Sequence, residues 1–102
     1  MQSFLTARAA ELSALAQRHG VARLDVFGSA AAGSFDDAGS DIDFVVSFVE
    51  QPPGGAANAY FGLLEDLQEL FGRPIDLIVD RSIRNPWFRQ SVDASRRTVY
   101  VA

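Results

Sequence analysis

The run Asp-Ile-Asp-Phe-Val-Val-Ser-Phe at residues 41–48 constrains this chain more than any other stretch. Its β-branched and aromatic residues favour extended backbone. Alternation along a strand then sends Asp41, Asp43 and Val45 to one face and Ile42, Phe44 and Val46 to the other. Two carboxylates therefore stand on one side of an apolar strand, about 7 Å apart at the backbone.

Helix and strand signals alternate around this strand. Ser3 is the expected cap of a helix over about 4–19, with Leu5, Leu12, Leu15 and Ala16 on one side and Gly20 as its stop. His19, in its last turn, is expected at the surface near the negative helix end, and not as a ligand. Leu24–Phe27 reads as a short strand running into Gly28-Ser29, and Ala30, Ala31 and Ala32 favour a short helix after that turn. Residues 34–40 form a loop by composition. A second long helix covers about 57–71, with Tyr60, Leu63, Leu64, Leu67, Leu70 and Phe71 as its apolar side and Gly72 as its stop. Ile75–Val79 is a third strand. Asn85-Pro86 opens a last helix, and 98–101 a last edge strand. This order predicts an α+β fold, a mixed sheet with helices packed mainly on one face, as one domain over residues 1–102.

Composition removes several kinds of chemistry. The 102 residues include no cysteine, which excludes disulfides, thiolate zinc sites and cysteine nucleophiles. A single histidine argues against His-rich metal sites and a Ser-His-Asp triad. The N-terminal segment lacks the apolar core of a signal peptide, and no apolar run approaches the roughly 20 residues that span a bilayer. The cytoplasm is the expected compartment, with no membrane partner. All nine basic residues are arginines, and their distribution is uneven: residues 1–80 carry a net −8, residues 81–102 a net +4. An acidic chain is a poor nonspecific binder of nucleic acid, so no direct nucleic-acid contact is expected. The basic C-terminal end serves either as a solvated face or as a surface for phosphates or an acidic partner. Trp87 and Phe88 either pack on the domain or face a partner.

The candidate chemistry rests on three aspartates. Asp76 leads Leu-Ile-Val on the third strand as Asp43 leads Phe-Val-Val on the second. On neighbouring strands in suitable register, Asp41, Asp43 and Asp76 share one surface. Such a cluster is costly without a cation between its members, and hard divalent ions with oxygen ligands, Mg²⁺ or Mn²⁺, suit it. Gly28-Ser29 at a strand-to-helix turn is a candidate phosphate site, with Gly28 permitting close backbone approach and Ser29 offering a hydroxyl. Two ions about 3.5–4 Å apart would stabilise attack and departure at phosphorus.

The series Val26-Phe27-Gly28-Ser29, Gly33, Ser40-Asp41-Ile42-Asp43-Phe44-Val45-Val46 and Ile75-Asp76-Leu77-Ile78 resembles the nucleotidyltransferases of the DNA polymerase beta superfamily. Within it, the chain is most similar to the small minimal nucleotidyltransferases. The resemblance implies that Asp41 and Asp43 hold two Mg²⁺ ions. Asp76 would hold the catalytic ion and help activate an acceptor hydroxyl, while Gly28 and Ser29 hold the triphosphate, usually of ATP. It implies transfer of AMP with release of pyrophosphate, acting on a HEPN-type toxin as the antitoxin of a type VII toxin–antitoxin pair. The alternative is an antitoxin that neutralises its partner by binding alone. An antibiotic-modifying enzyme or a templated polymerase would need additional structure. Family members often carry Arg shortly after Gly-Ser, where this chain has Ala30, Ala31 and Ala32. Arg81, Arg84 and Arg89 are candidates to replace that guanidinium. The resemblance is compatible with an oligomer.

Overall fold

The computed structural model describes Leu5 and residues 7–28, 41–51 and 54–102. Its order is α1 (Ala9–Arg18), β1 (Val21–Phe27), β2 (Ile42–Phe48), α2 (Gly55–Phe71), β3 (Ile75–Val79), a 3₁₀ turn (Asp80–Ser82), α3 (Pro86–Ser95) and β4 (Arg97–Val101). The four strands lie in the order β3-β2-β1-β4. β1 runs antiparallel to both β2 and β4, whereas β2 and β3 are parallel. The sheet is thus mixed, as expected. No helix among the described residues is long and apolar enough to cross a membrane.

Strand alternation divides the core into two layers. Leu24, Val26, Ile42, Phe44, Val46 and Leu77 point to the face covered by α1 and α2, where they meet Leu5, Leu12, Leu15, Ala16, Leu63 and Leu67. The opposite face carries a smaller cluster, Phe27 and Val45 with Val92 of α3, flanked by Ile78 and Ile83. Two helices therefore back one face and the short α3 covers part of the other.

The long helices follow their apolar stripes. α2 starts two residues earlier than its sequence pattern, because Gly54 in the left-handed region (φ 84°) turns the chain into it, and Gly72 (φ 66°) ends it. Regular α1 begins at Ala9, later than expected, and Ser3 lies outside the described residues. β1 is three residues longer at its start than its apolar run. An irregularity between Val21 and Arg23 keeps Val21 in the core while Arg23 resumes pairing with Ser47. Asn85 caps α3 as expected, its Oδ1 accepting from the Trp87 and Phe88 amides at 2.8 and 3.2 Å.

His19 departs from expectation. Its Nε2 lies 2.6 Å from Asp66 Oδ2 and its side chain is mostly buried. Gly62 of α2 makes room for it: a Cβ there would fall 2.6 Å from His19 Cε1. His19 clamps α1 to α2, and with Arg18 it holds the Asp66 carboxyl below its usual range.

Candidate active site

The parallel register of β2 and β3 sets Asp43 directly beside Asp76. Neighbouring strands are about 4.8 Å apart, so the two carboxylates leave the sheet as close neighbours. Both point to the α3 face, since Phe44 and Leu77 point to the other. Asp41 lies just before β2, exposed, two residues from Asp43 and on its side of the strand. Burial pushes the Asp43 carboxyl up, and the charges of Asp76 and Asp41 push it further in the same direction. Two of the acids predicted from sequence, Asp41 and Asp76, are thus within electrostatic reach of the third, Asp43.

Among the described residues no three His, Cys, Asp or Glu side chains converge tightly enough to grip a metal. None of these three acids has an ion-pair partner among the described residues either. Carboxylates placed near one another repel without a counter-charge. The donor set, all carboxylate oxygen, suits a hard divalent cation, whose charge would relieve that repulsion.

Gly28 closes the other side of the group. Phe27 pairs with Asp43 across β1 and β2, so the chain leaves β1 beside that carboxylate. Gly28 has φ 72°, and a Cβ on it would sit 2.6 Å from Asp43 Oδ2. Only glycine fits both the backbone and the space. Its N–H is not a free phosphate donor, however; it donates to Ser95 Oγ of α3 at 3.1 Å. The contribution of Gly28 to the site is therefore close approach. Ser29, Ala30, Ala31, Ala32 and Gly33 lie outside the described residues.

The candidate replacement arginines are placed unequally. Arg89 is committed to Asp80 at 2.7 Å and to Asp93 at 3.5 Å. Arg81 lines a hollow of about 260 Å³ with Glu50, Gln51 and Val79, at the opposite end of β2 and β3 from the acids. Arg84 is exposed and without an ion pair among the described residues. Phe88 packs edge-on against Phe27, ring centroids 6.1 Å apart, whereas Trp87 is 77% exposed. The adjacent aromatics therefore divide the two roles: Phe88 packs and Trp87 faces outward.

Sequence reasoning missed a buried charge behind this site. Asp25, fully buried on β1, accepts from Arg23 Nε at 3.0 Å and from Arg96 Nε at 2.6 Å. Arg96 also reaches Asp80 and Asp93. Burial alone would raise the Asp25 carboxyl; its arginine partners overrule that and hold it below the usual range. The network fixes the C-terminal end of α3, and Ser95 with it, to β1. Tyr60, on the apolar side of α2, also carries a polar contact. Its hydroxyl donates to the Leu77 carbonyl at 2.6 Å, one residue beyond Asp76.

A family model described as a nucleotidyltransferase domain matches residues 11–101. MJ1379 of Methanocaldococcus jannaschii, provisionally named a protein adenylyltransferase, is 34% identical over 79 residues, 78% of this chain and 77% of the relative. A solved structure provisionally described as a minimal nucleotidyltransferase has a TM-score of 0.67 at 30% identity, covering 94% of this chain and 93% of that one. In fold alone, the chain also matches one from a complex of a tri-AMPylated Shewanella oneidensis HEPN toxin with its MNT antitoxin. That likeness has a TM-score of 0.63 at 18% identity and covers all of this chain and 74% of the other.

Proposed function

Since the chain belongs to the nucleotidyltransferase-domain family, we propose that it transfers AMP from ATP to a hydroxyl of a partner protein, a HEPN-type toxin, and so acts as an antitoxin. The observation that carries this reading is the register of Asp43 against Asp76, with Asp41 alongside and Gly28 abutting Asp43.

Asp41 and Asp43 would hold two Mg²⁺ ions, or Mn²⁺, and Asp76 would share the catalytic one. When bound, these ions supply charge neutralisation at the phosphates and polarise the acceptor oxygen. The chain's own residues do the rest. The bare backbone of Gly28 lets the triphosphate approach the acid group, and the hydroxyl of Ser29 donates to it. Asp76, on the edge strand and exposed, receives the acceptor's proton. The acceptor oxygen then bonds to the α-phosphorus, whose bond to the bridging oxygen breaks, and pyrophosphate leaves. Of the candidate replacement arginines, Arg84 is exposed and has no ion pair among the described residues. The relatives' names support a protein as acceptor, and the AMPylated toxin in the fold neighbour supports a HEPN partner. The absence of a transmembrane-length helix among the described residues is compatible with a cytoplasmic setting.

A second reading, neutralisation by binding alone, is favoured by Ala30–Ala32 in place of an arginine and by the exposed Trp87. One experiment separates the two. The protein is mixed with α-labelled ATP, Mg²⁺ and the purified HEPN partner, alongside Asp43→Asn. Label on the partner with wild type only supports transfer. Unlabelled but neutralised partner in both cases supports binding alone.

A further inference from the structure

We propose that Ser95, at the C-terminal end of α3, is a positioning residue that holds the Gly28 turn against the acid group in its nucleotide-binding shape; this rests on the transferase reading above. Gly28 is the first residue of the Gly28-Ser29 pair assigned to the triphosphate, and β1 pairing ends at Phe27. Beyond that point the Gly28 N–H donates to a side chain, Ser95 Oγ at 3.1 Å. Ser95 Oγ in turn lies 3.4 Å from the Ser91 carbonyl one helical turn back, where its own hydrogen is donated. A hydroxyl both accepts and donates, so this one atom ties the start of the turn to the helix.

The helix itself is rigidly seated. Val92 packs against Phe27 and Val45, and Phe88 meets the Phe27 ring. Arg96, the next residue after Ser95, is anchored on the buried Asp25 at 2.6 Å and on Asp80 and Asp93. Contacts before and after Ser95 in sequence therefore anchor the hydroxyl to which the Gly28 amide is bonded. The consequence falls on Asp43, because the Gly28 Cα stands where any added Cβ would come within 2.6 Å of that carboxylate. A loosened turn would leave the acids in place on their strands while the phosphate-facing backbone moved. Ser95 is thus expected to serve nucleotide binding and not cation binding.

Two measurements test this. The first uses the wild-type protein without ligand: the Gly28 amide should exchange with solvent at least about tenfold more slowly than an unbonded turn amide, and Ser95→Ala should abolish that protection. The second is titration with Mn²⁺ alone and with ATP plus Mg²⁺. Ser95→Ala should weaken ATP-Mg binding about three- to tenfold, the range for one hydrogen bond, and leave Mn²⁺ affinity unchanged. Ser95→Thr, which keeps the hydroxyl, should restore both readings. A fast-exchanging Gly28 amide in wild type overturns the proposal, as does equal loss of Mn²⁺ and nucleotide affinity in Ser95→Ala. Wild-type protein that binds no nucleotide refutes the transferase reading instead, and the Gly28 exchange rate still decides whether Ser95 holds the turn.

Discussion

Replacing Arg96 by Met strands the buried carboxylate of Asp25. The two side chains are 15% and 0% exposed, and Arg96 Nε stands 2.6 Å from Asp25 Oδ2. Removing one partner of a buried pair costs about 3–5 kcal/mol, chiefly because the remaining charge is left in low dielectric. Arg23 still bonds Asp25, but it is half exposed, so only part of the charge stays compensated. The lower end, about 3 kcal/mol, is expected, against a total of about 5–15 kcal/mol for a domain. That corresponds to a fall in melting temperature of about 12 °C or more. Urea unfolding followed by circular dichroism at pH 7 measures it, with an unchanged slope showing that the unfolded state is not responsible. The pH dependence supplies an internal check. The Asp25 and Asp80 carboxyls are held low by their arginines against the effect of burial. Groups with lowered folded values contribute stability that is complete above the unfolded carboxylate value of about 3.9 and is lost as pH falls through the folded value. The gap between wild type and Arg96→Met should therefore be full at pH 7 and narrow below about pH 4, where a protonated Asp25 needs no cation. A loss under about 1 kcal/mol, or a gap constant from pH 7 to 3, would refute the reasoning.

Gly28→Ala should cost about 1–2 kcal/mol through its left-handed backbone, and its methyl should push Asp43 aside, lowering adenylyl transfer about a hundredfold in a labelled-ATP assay. Asn85→Ala removes the α3 cap and should cost about 1 kcal/mol in urea unfolding, without changing Mn²⁺ affinity. Tyr60→Phe deletes the bond to the Leu77 carbonyl; a stability loss of about 0.5–1.5 kcal/mol is expected, readable as a lower thermal midpoint. Leu63→Ala, in a fully buried position of α2, should cost about 2–5 kcal/mol by the same unfolding measurement.

The elements most legible in the sequence were those whose apolar spacing matches one period. Ile75–Val79 was read with its observed bounds, and β2 to within one residue, because short apolar runs between loop signals leave few alternatives. The face shared by Asp41 and Asp43 followed from alternation alone. What alternation cannot give is register, and it is the parallel pairing of β2 with β3 that brings Asp76 beside Asp43. Asp25 was illegible as a buried charge because its decisive partner, Arg96, is 71 residues away. Ser95 was missed for the same reason: one serine in a helix has no pattern, and its meaning comes from Gly28, 67 residues earlier. His19 was misjudged because a helix-end histidine reads as exposed until a glycine on another helix opens a seat for it.

The central claim is that three aspartates, at the starts of β2 and β3, hold the cation at which a nucleotide reacts. Anomalous diffraction from crystals soaked with Mn²⁺ and a non-hydrolysable ATP analogue tests it most directly. Manganese peaks bridging Asp41, Asp43 and Asp76, with the triphosphate against Gly28, are the predicted result. Nucleotide and manganese seated elsewhere on the molecule, with those carboxylates bare, would contradict it.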